Sequence, residues 1–408
     1  MVAVQTDDGP PRRAGLGQAA ILVVAGFMPI MAIVSLAPAV PSIMARFSDT
    51  PNVQLLAPLL VSAPGLMVAL LSPVAGLLVD RYGRRPIFIG ATAFYALFGI
   101  APYFLDDLRA IFATRLALGI TEAAILTIVN TLIADYFDPV ARRRVLAAQS
   151  VVGPIFGTSV ILLSGYLTEQ QWNLAFLIYS AAFPIFVLSA FLIFEPRKNA
   201  VIEGAASTLQ AAALAFPWPD VIKYVAVTFF AANLYYIFII QAGLAYEEVG
   251  VASPAQIGAY ISIASVGVPI GGILFGVLGK RSASFLTAAF LFLLGAGMLG
   301  IGLARDAQTM LAASFVQQMG AGMTVPTLIY WAQSVLPFEL RGRGIGIWCS
   351  AFFLGQFTSP FLMQAARLPS GDAVGAFAVS GMIALVGALV GAFVTVTRRR
   401  TPASAAAA

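Results

Sequence analysis

The sequence predicts an all-α membrane protein with twelve transmembrane helices in two pseudo-symmetric halves of six. Three observations lead there. Hydrophobic residues make up 60% of the 408 and charged residues 10%, with a mean hydropathy of +0.91. A water-soluble domain carries roughly 25% charge, because its surface must face water. Twelve apolar runs reach about the length that crosses a bilayer. Lys and Arg gather on alternate connections between these runs, and acids on the others. Hydrocarbon offers the backbone no water to bond, so such runs must be helical. The short alternating segments of a transmembrane barrel are absent from the pattern.

The runs fall near residues 17–42, 53–79, 86–105, 109–134, 145–167, 172–194, 221–244, 256–279, 283–304, 308–335, 343–366 and 373–396. Pro38, Pro64, Pro154, Pro269, Pro326 and Pro360 interrupt several of them, which membrane helices tolerate when neighbours re-satisfy the freed carbonyls. Residues 1–16 read as a polar tail, 17–196 as the first half, 197–220 as a polar linker, 221–397 as the second half and 398–408 as a second tail. No cleavable leader is expected, since the first apolar run is itself long enough to span. The halves carry a faint repeat: Gly83-Arg84-Arg85 returns as Gly279-Lys280-Arg281, and the stretch 139–144 as 338–343. Parallel halves of this kind place a substrate site near the midplane between them.

Basic residues set the expected orientation. Arg12 and Arg13, Arg81, Arg84 and Arg85, Arg142 to Arg144, Arg197, Lys198 and Lys223, Lys280 and Arg281, Arg341 and Arg343, and Arg398 to Arg400 share one side. Asp49, Asp106, Asp107, Glu169, Glu247, Glu248, Asp306 and Asp372 occupy the other. The positive-inside rule then puts both termini in the cytoplasm of a cell's inner membrane. The net charge of +5 is topological, and no nucleic-acid partner is expected. The chain has no His and a single Cys349. Imidazole is therefore unavailable as a proton carrier, and no intramolecular disulfide can form. With no Walker loop and no metal-ligand spacing, neither an enzyme, nor ATP use, nor a cofactor or metal is expected. One chain supplies both halves, so a monomer suffices.

Chemistry concentrates in four places. Gly76-Leu77-Leu78-Val79-Asp80-Arg81-Tyr82-Gly83-Arg84-Arg85 sets a dense charge cluster and two glycines between the second and third spans. Arg115 and Glu122 are the charges inside the fourth span; with Gly119 they fall at i, i+4 and i+7, on one helix face. An intramembrane charge is costly and normally faces a partner or a wet cavity. Low dielectric favours the neutral acid, whereas a neighbouring guanidinium favours the carboxylate, a balance suited to loading and releasing a proton. The same two residues could instead be a static brace. Gly153-Pro154-Ile155-Phe156-Gly157 lies in the fifth span. The second half offers only uncharged polar candidates for a cavity, foremost Asn233, Tyr236, Gln318 and Gln356.

The 76–85 segment resembles the loop signature of the major facilitator superfamily, a resemblance that extends over essentially the whole chain. It implies the fold named for that superfamily, a secondary transporter driven by the proton gradient, and a latch on the outward-facing state made by Gly76, Asp80, Gly83, Arg84, Arg85 and Arg142. Arg115-Leu116-Ala117-Leu118-Gly119 resembles the superfamily's helix-4 motif, whose Arg is implicated in proton transfer, with Glu122 as the expected carrier. Gly153, Pro154 and Gly157 resemble the antiporter motif of drug–proton exporters, although Gln149 and Thr158 stand where that motif has glycines. Gly119-Ile120-Thr121-Glu122-Ala123 and Thr131 to Phe137 look like spinster-type lipid transporters, but the acid those carry in helix 1 is missing. The expected function is proton-coupled export of small lipophilic compounds. Import of an organic anion gripped by Arg115, spinster-like lipid transport and a non-transporting receptor are the alternatives.

Overall fold

The computed structural model describes residues 14–196, 216–336 and 340–400. Most of the predicted linker and both predicted tails lie largely outside them. The described residues are helical throughout, without strands. We number the membrane segments α1 (Leu16–Arg46), α2 (Val53–Tyr82), α3 (Arg84–Phe104), α4 (Leu108–Tyr136), α5 (Pro139–Gln170), α6 (Leu174–Leu192), α7 (Trp218–Glu248), α8 (Pro254–Leu278), α9 (Ala283–Leu303), α10 (Ala307–Val335), α11 (Arg341–Ser370) and α12 (Ala373–Arg400). Eleven of them contain a stretch long and apolar enough to cross a membrane. In α10 the glutamines Gln308, Gln317, Gln318 and Gln333 dilute the apolar signal, yet the helix runs unbroken through Pro326. Leu77, Ile273, Val277 and Phe393 are among the large apolar side chains left on the outside, as a lipid-facing surface requires.

The helices are longer than the apolar runs, because polar first and last turns add to them. Asp107, Asp138, Ser253, Ser282 and Asp306 cap α4, α5, α8, α9 and α10 by accepting backbone N–H bonds. Such caps satisfy the orphan donors of a first turn. Between α2 and α3 the chain turns on a single residue, Gly83, at φ +91°. A side chain is disfavoured in that conformation.

The first span departs from the continuous helix expected over 17–42. It breaks into Leu16–Ala25, Met28–Val34, a 3₁₀ turn at Ala37–Ala39 and Val40–Arg46. Pro29, Pro38 and Pro41 each stand in the first turn of the next piece, where a missing N–H costs least. The eighth span breaks likewise between Ala264 and Gly267, just before Pro269. Side chains of neighbouring helices donate to carbonyls around the breaks in α1: Tyr95 to Met28 O, Tyr179 to Ala32 O, Ser164 to Ser35 O and, as a second donor beside Gly26 N, Gln149 to Leu22 O.

The two halves close on each other at the end bearing the acidic loops. A Cβ added at Gly165 of α5 would stand 2.6 Å from the Pro254 carbonyl oxygen of α8, and one at Gly243 of α7 would stand 2.7 Å from Ala37 O of α1. Glu169 accepts from Ser253 Oγ at 2.8 Å and from Ala255 N at 3.2 Å. Toward the basic end the helices diverge. On α2, Gly65 packs on Gln356 of α11, whereas Gly76, about three turns along the same face, has nothing within 4 Å of a Cβ position. On α8, Gly258 packs on Ile161 O and Gly165 of α5, whereas Gly272 and Gly276 face open space.

Candidate functional site

A cavity of about 300 Å3 lies midway along the bundle, between α1 and α5 of one half and α7, α8 and α10 of the other. Its size is at the lower end of the ~300–1,000 Å3 typical of small-molecule sites. Phe27, Ile30, Val34, Ile161, Tyr235, Phe238, Ile239, Ile261 and Val268 form most of the wall, with Gln149, Thr158, Ser265 and Gln318 as the polar members. None of the lining residues is charged. Gly153, Pro154 and Gly157 belong to this wall. At Gly153 a Cβ would meet the Phe27 ring at 2.8 Å, so the glycine lets that ring lie against α5. Phe27 in turn stacks on Phe156.

Of the four polar candidates in the second half, Gln318 reaches the cavity, its amide 3.4 Å from Ser265 Oγ. The other three do not line it. Asn233 donates to Phe229 O and accepts from Thr358 Oγ1 at 2.9 Å, which ties α7 to α11. Tyr236 packs in an aromatic cluster with Tyr235 and Phe352. Gln356 is fully buried against Gly65, and its amide has no hydrogen-bond partner. The sequence identified these residues as polar but not the direction in which each helix turns them.

Outside the cavity's lining, α4 carries the buried charges. Arg115 is 0% and Glu122 1% exposed. They form no ion pair: seven residues are two helical turns, roughly 10 Å of rise. Arg115 Nη2 instead donates to Tyr179 Oη at 2.7 Å, and its guanidinium lies 4.8 Å from the Tyr179 ring centroid and 5.9 Å from that of Phe176. Tyr179 also accepts from Ser35 Oγ at 3.0 Å and donates to Ala32 O. A single phenol thereby joins α4, α6 and the broken part of α1. Arg115 Nε and Nη1 and Glu122 Oε1 are buried without hydrogen-bond partners. Glu122 lies close enough for its charge to act on Tyr95 of α3 and, across the interface, on Tyr236 of α7. One turn back, Gly119 abuts α2, where a Cβ would stand 2.4 Å from Pro64 O. Tyr95 and Tyr179 escaped the sequence reading because each is one of several aromatics in an apolar run; the available signal was that a buried phenol needs a partner.

The residues expected to form a latch sit at the basic end of the first half. Arg84 Nε lies 2.7 Å from Asp135 Oδ2, at the foot of α4. The carboxylate of Glu195 accepts from the backbone N–H of both Arg84 and Arg85 at 2.8 Å, where α3 begins. Arg85 continues to Ile193 O and Ala190 O, and Arg142 donates to Ala134 O at 2.6 Å. The Asp80 side chain lies outside the described residues. Arg84, Arg85 and Arg142 are thus engaged within their own half, and the acid that organises the two α3 N–H groups is Glu195. The sequence reading passed over it, although Glu195 stands two residues before the first basic residue of the linker, Arg197.

The model of the family described as Major Facilitator Superfamily matches residues 22–246 and 224–408. Protein spinster homolog 1 of Rattus norvegicus is 33% identical over 141 residues, 32% of this chain and 26% of that protein. Multidrug resistance protein 1 of Bacillus subtilis is 31% identical over 154 residues, 34% of this chain and 38% of its own length. These matches span about a quarter to two fifths of the relatives. The 3-(3-hydroxy-phenyl)propionate transporter of Escherichia coli is 24% identical over 331 residues, 80% of this chain and 81% of that protein. Among solved structures, a bacterial homolog of the human lysosomal transporter spinster, inward-facing and occupied, superimposes with a TM-score of 0.74 at 14% identity, covering 94% of this chain and 98% of that one. A D-xylose–proton symporter gives 0.73 at 14% identity, with 92% and 96% covered. The helices, the two-half arrangement and the family match converge: this chain is a transporter, not an enzyme, and belongs to the Major Facilitator Superfamily.

Proposed function

We propose that the protein is a proton-coupled exporter of small lipophilic compounds working by alternating access. The observation that carries the reading is the pairing of two features: a midplane cavity with aromatic and aliphatic walls and no lining charge, and a buried carboxyl outside its lining, Glu122, with an unpartnered oxygen and near enough to act on Tyr236 of the other half. The wall suits an apolar ligand held by a few amides and hydroxyls. With the basic end in the cytoplasm, as the positive-inside rule has it, the splayed helices make this an inward-open conformation. A substrate would enter from the cytoplasm or inner leaflet, and the halves would rock about the cavity. A proton arriving at Glu122 from the far side would favour the return. The coupling acts only through a difference in proton affinity between the two conformations.

The second reading, import of an aromatic acid, draws on the Escherichia coli relative that parallels 80% of this chain. It would use the free Nε and Nη1 of Arg115 to grip a carboxylate. Reconstitution in liposomes with an internal pH dye separates the two. Export predicts that outward movement of a lipophilic dye is accompanied by inward proton flow, and that Glu122→Gln stops the proton flow while dye binding persists. Proton and aromatic acid moving together would favour the second reading. Proton coupling that survives Glu122→Gln would remove Glu122 from either mechanism.

A further inference from the structure

A second cavity is larger than the one between the halves. It measures about 720 Å3 and lies inside the second half at its basic end, among α7, α9, α10 and α12. Its interior is apolar, with Val227, Phe230, Leu291 and Val394 among its walls. From Ser282 at the mouth to Leu291 at the roof, α9 rises nine residues, roughly 13 Å. Gly387 of α12, whose Cβ would meet Phe230 at 3.0 Å and Leu291 at 3.4 Å, closes the roof.

The polar groups are confined to one end. Lys223 stands at the mouth, largely exposed and 3.1 Å from Asp220. Opposite it begins α9, a helix of 21 residues, with Ser282 and Ser284 at its start. A helix of that length presents partial positive charge at its first turn, where Ser282 Oγ takes the Phe285 N–H and the N–H groups before it have no partner within the helix. Just inside, Thr287 is 7% exposed, and its hydroxyl has no hydrogen-bond partner although it lines the cavity. A buried hydroxyl left unpaired costs free energy, so a ligand oxygen at this depth would be held.

We propose that this crevice binds one acidic phospholipid of the surrounding leaflet, its phosphate between Lys223 and the start of α9, an ester oxygen at the Thr287 hydroxyl, and one acyl chain in the apolar shaft. The charge order, cation and helix N-terminus outside and hydrocarbon inside, matches an anionic headgroup on a chain and not a soluble anion. The site is separate from the cavity between the halves and would serve whichever substrate that cavity takes. The bound lipid fills a void at the base of the second half, so it stabilises the fold.

The test is native mass spectrometry of the full chain in detergent, with equal amounts of dioleoyl phosphatidylglycerol and dioleoyl phosphatidylcholine and, in a third arm, glycerol phosphate as competitor. We expect one phosphatidylglycerol retained in preference to phosphatidylcholine and no displacement by glycerol phosphate. Retention should fall about fivefold in Lys223→Gln. It should also fall in Ala226→Trp, which adds bulk at an exposed lining position without touching the core. Thermal melting with and without the lipid should show a shift in the wild type that both variants lose. Equal retention of the two lipids, displacement by glycerol phosphate, or undiminished retention in both variants would overturn the proposal.

Discussion

Gly165→Ala should move the protein out of the conformation described here. The added Cβ would stand 2.6 Å from Pro254 O, roughly 0.8 Å inside the 3.4 Å at which ordinary contact begins. Its other near neighbours are Ala255 Cα at 3.2 Å and Gly258 Cα at 3.3 Å, so it is backbone, not a pliable side chain, that blocks it. Forcing a methyl into a packed contact costs ~1–3 kcal/mol. The clash exists only while α5 and α8 touch at the acidic end. The gain in helix propensity, about 1 kcal/mol for Gly to Ala, is common to every conformation and cancels. The ratio of acidic-end-closed to acidic-end-open molecules should therefore fall about five- to 150-fold. Gly276→Ala on α8 is the matched control: nothing lies within 4 Å of its Cβ position, so the same substitution should leave the ratio alone. Spin labels at Gln170 and Ala252, both exposed, with Cys349 replaced by Ser, report the gap by pulsed distance measurement. A longer-distance population in Gly165→Ala and not in Gly276→Ala is expected. A folded Gly165→Ala protein with an unchanged distribution, or an equal shift in the control, would refute the argument that this contact holds the acidic end shut.

Tyr179→Phe removes the phenol bonded to Arg115, Ser35 and Ala32; it should destabilise the protein by about 1–3 kcal/mol, read as a lower melting temperature in detergent, more than Tyr166→Phe at an exposed site. Glu195→Ala deprives the first turn of α3 of its acceptor and should cost about 1 kcal/mol, with Glu195→Gln retaining part of it. Asp138 caps α5 through the N–H groups of Ala141 and Val140, which hold its carboxyl below the usual carboxylate range. The cap's contribution is therefore complete above the unfolded pKa of about 3.9 and is lost as pH falls through the lowered folded value. Hydrogen exchange in the first turn of α5, corrected for intrinsic rate, should accelerate as pH falls below the unfolded value and the carboxyl protonates, and this acceleration should vanish in Asp138→Asn, which caps without titrating.

The sequence determined what depends on local composition. Bilayer thickness sets a length that any sufficiently apolar run must meet, so the spans, their alternation of basic and acidic ends and the membrane class were legible residue by residue. Helical periodicity placed Arg115, Gly119 and Glu122 on one face of α4, and the structure buries all three. The glycine–proline stretch of α5 was likewise read as a feature of interest, and it does line the midplane cavity.

Tertiary structure decided everything that depends on what stands opposite a given face. Periodicity gives direction along one helix but not the partner across it. So the sequence could not show that Arg115 bonds Tyr179 of α6, 64 residues away, instead of pairing with Glu122. Nor could it show that Asn233 is occupied by Thr358. The break in α1 was hidden for the same reason: prolines were visible, but whether a helix survives them depends on neighbours able to take up the freed carbonyls, and Tyr179 and Ser164, which bond Ala32 O and Ser35 O, come from two other helices. The open basic end is likewise a property of two halves at once. A glycine such as Gly165 or Gly76 is the same residue in the sequence, and only the second half determines that one is pressed against backbone while the other faces space.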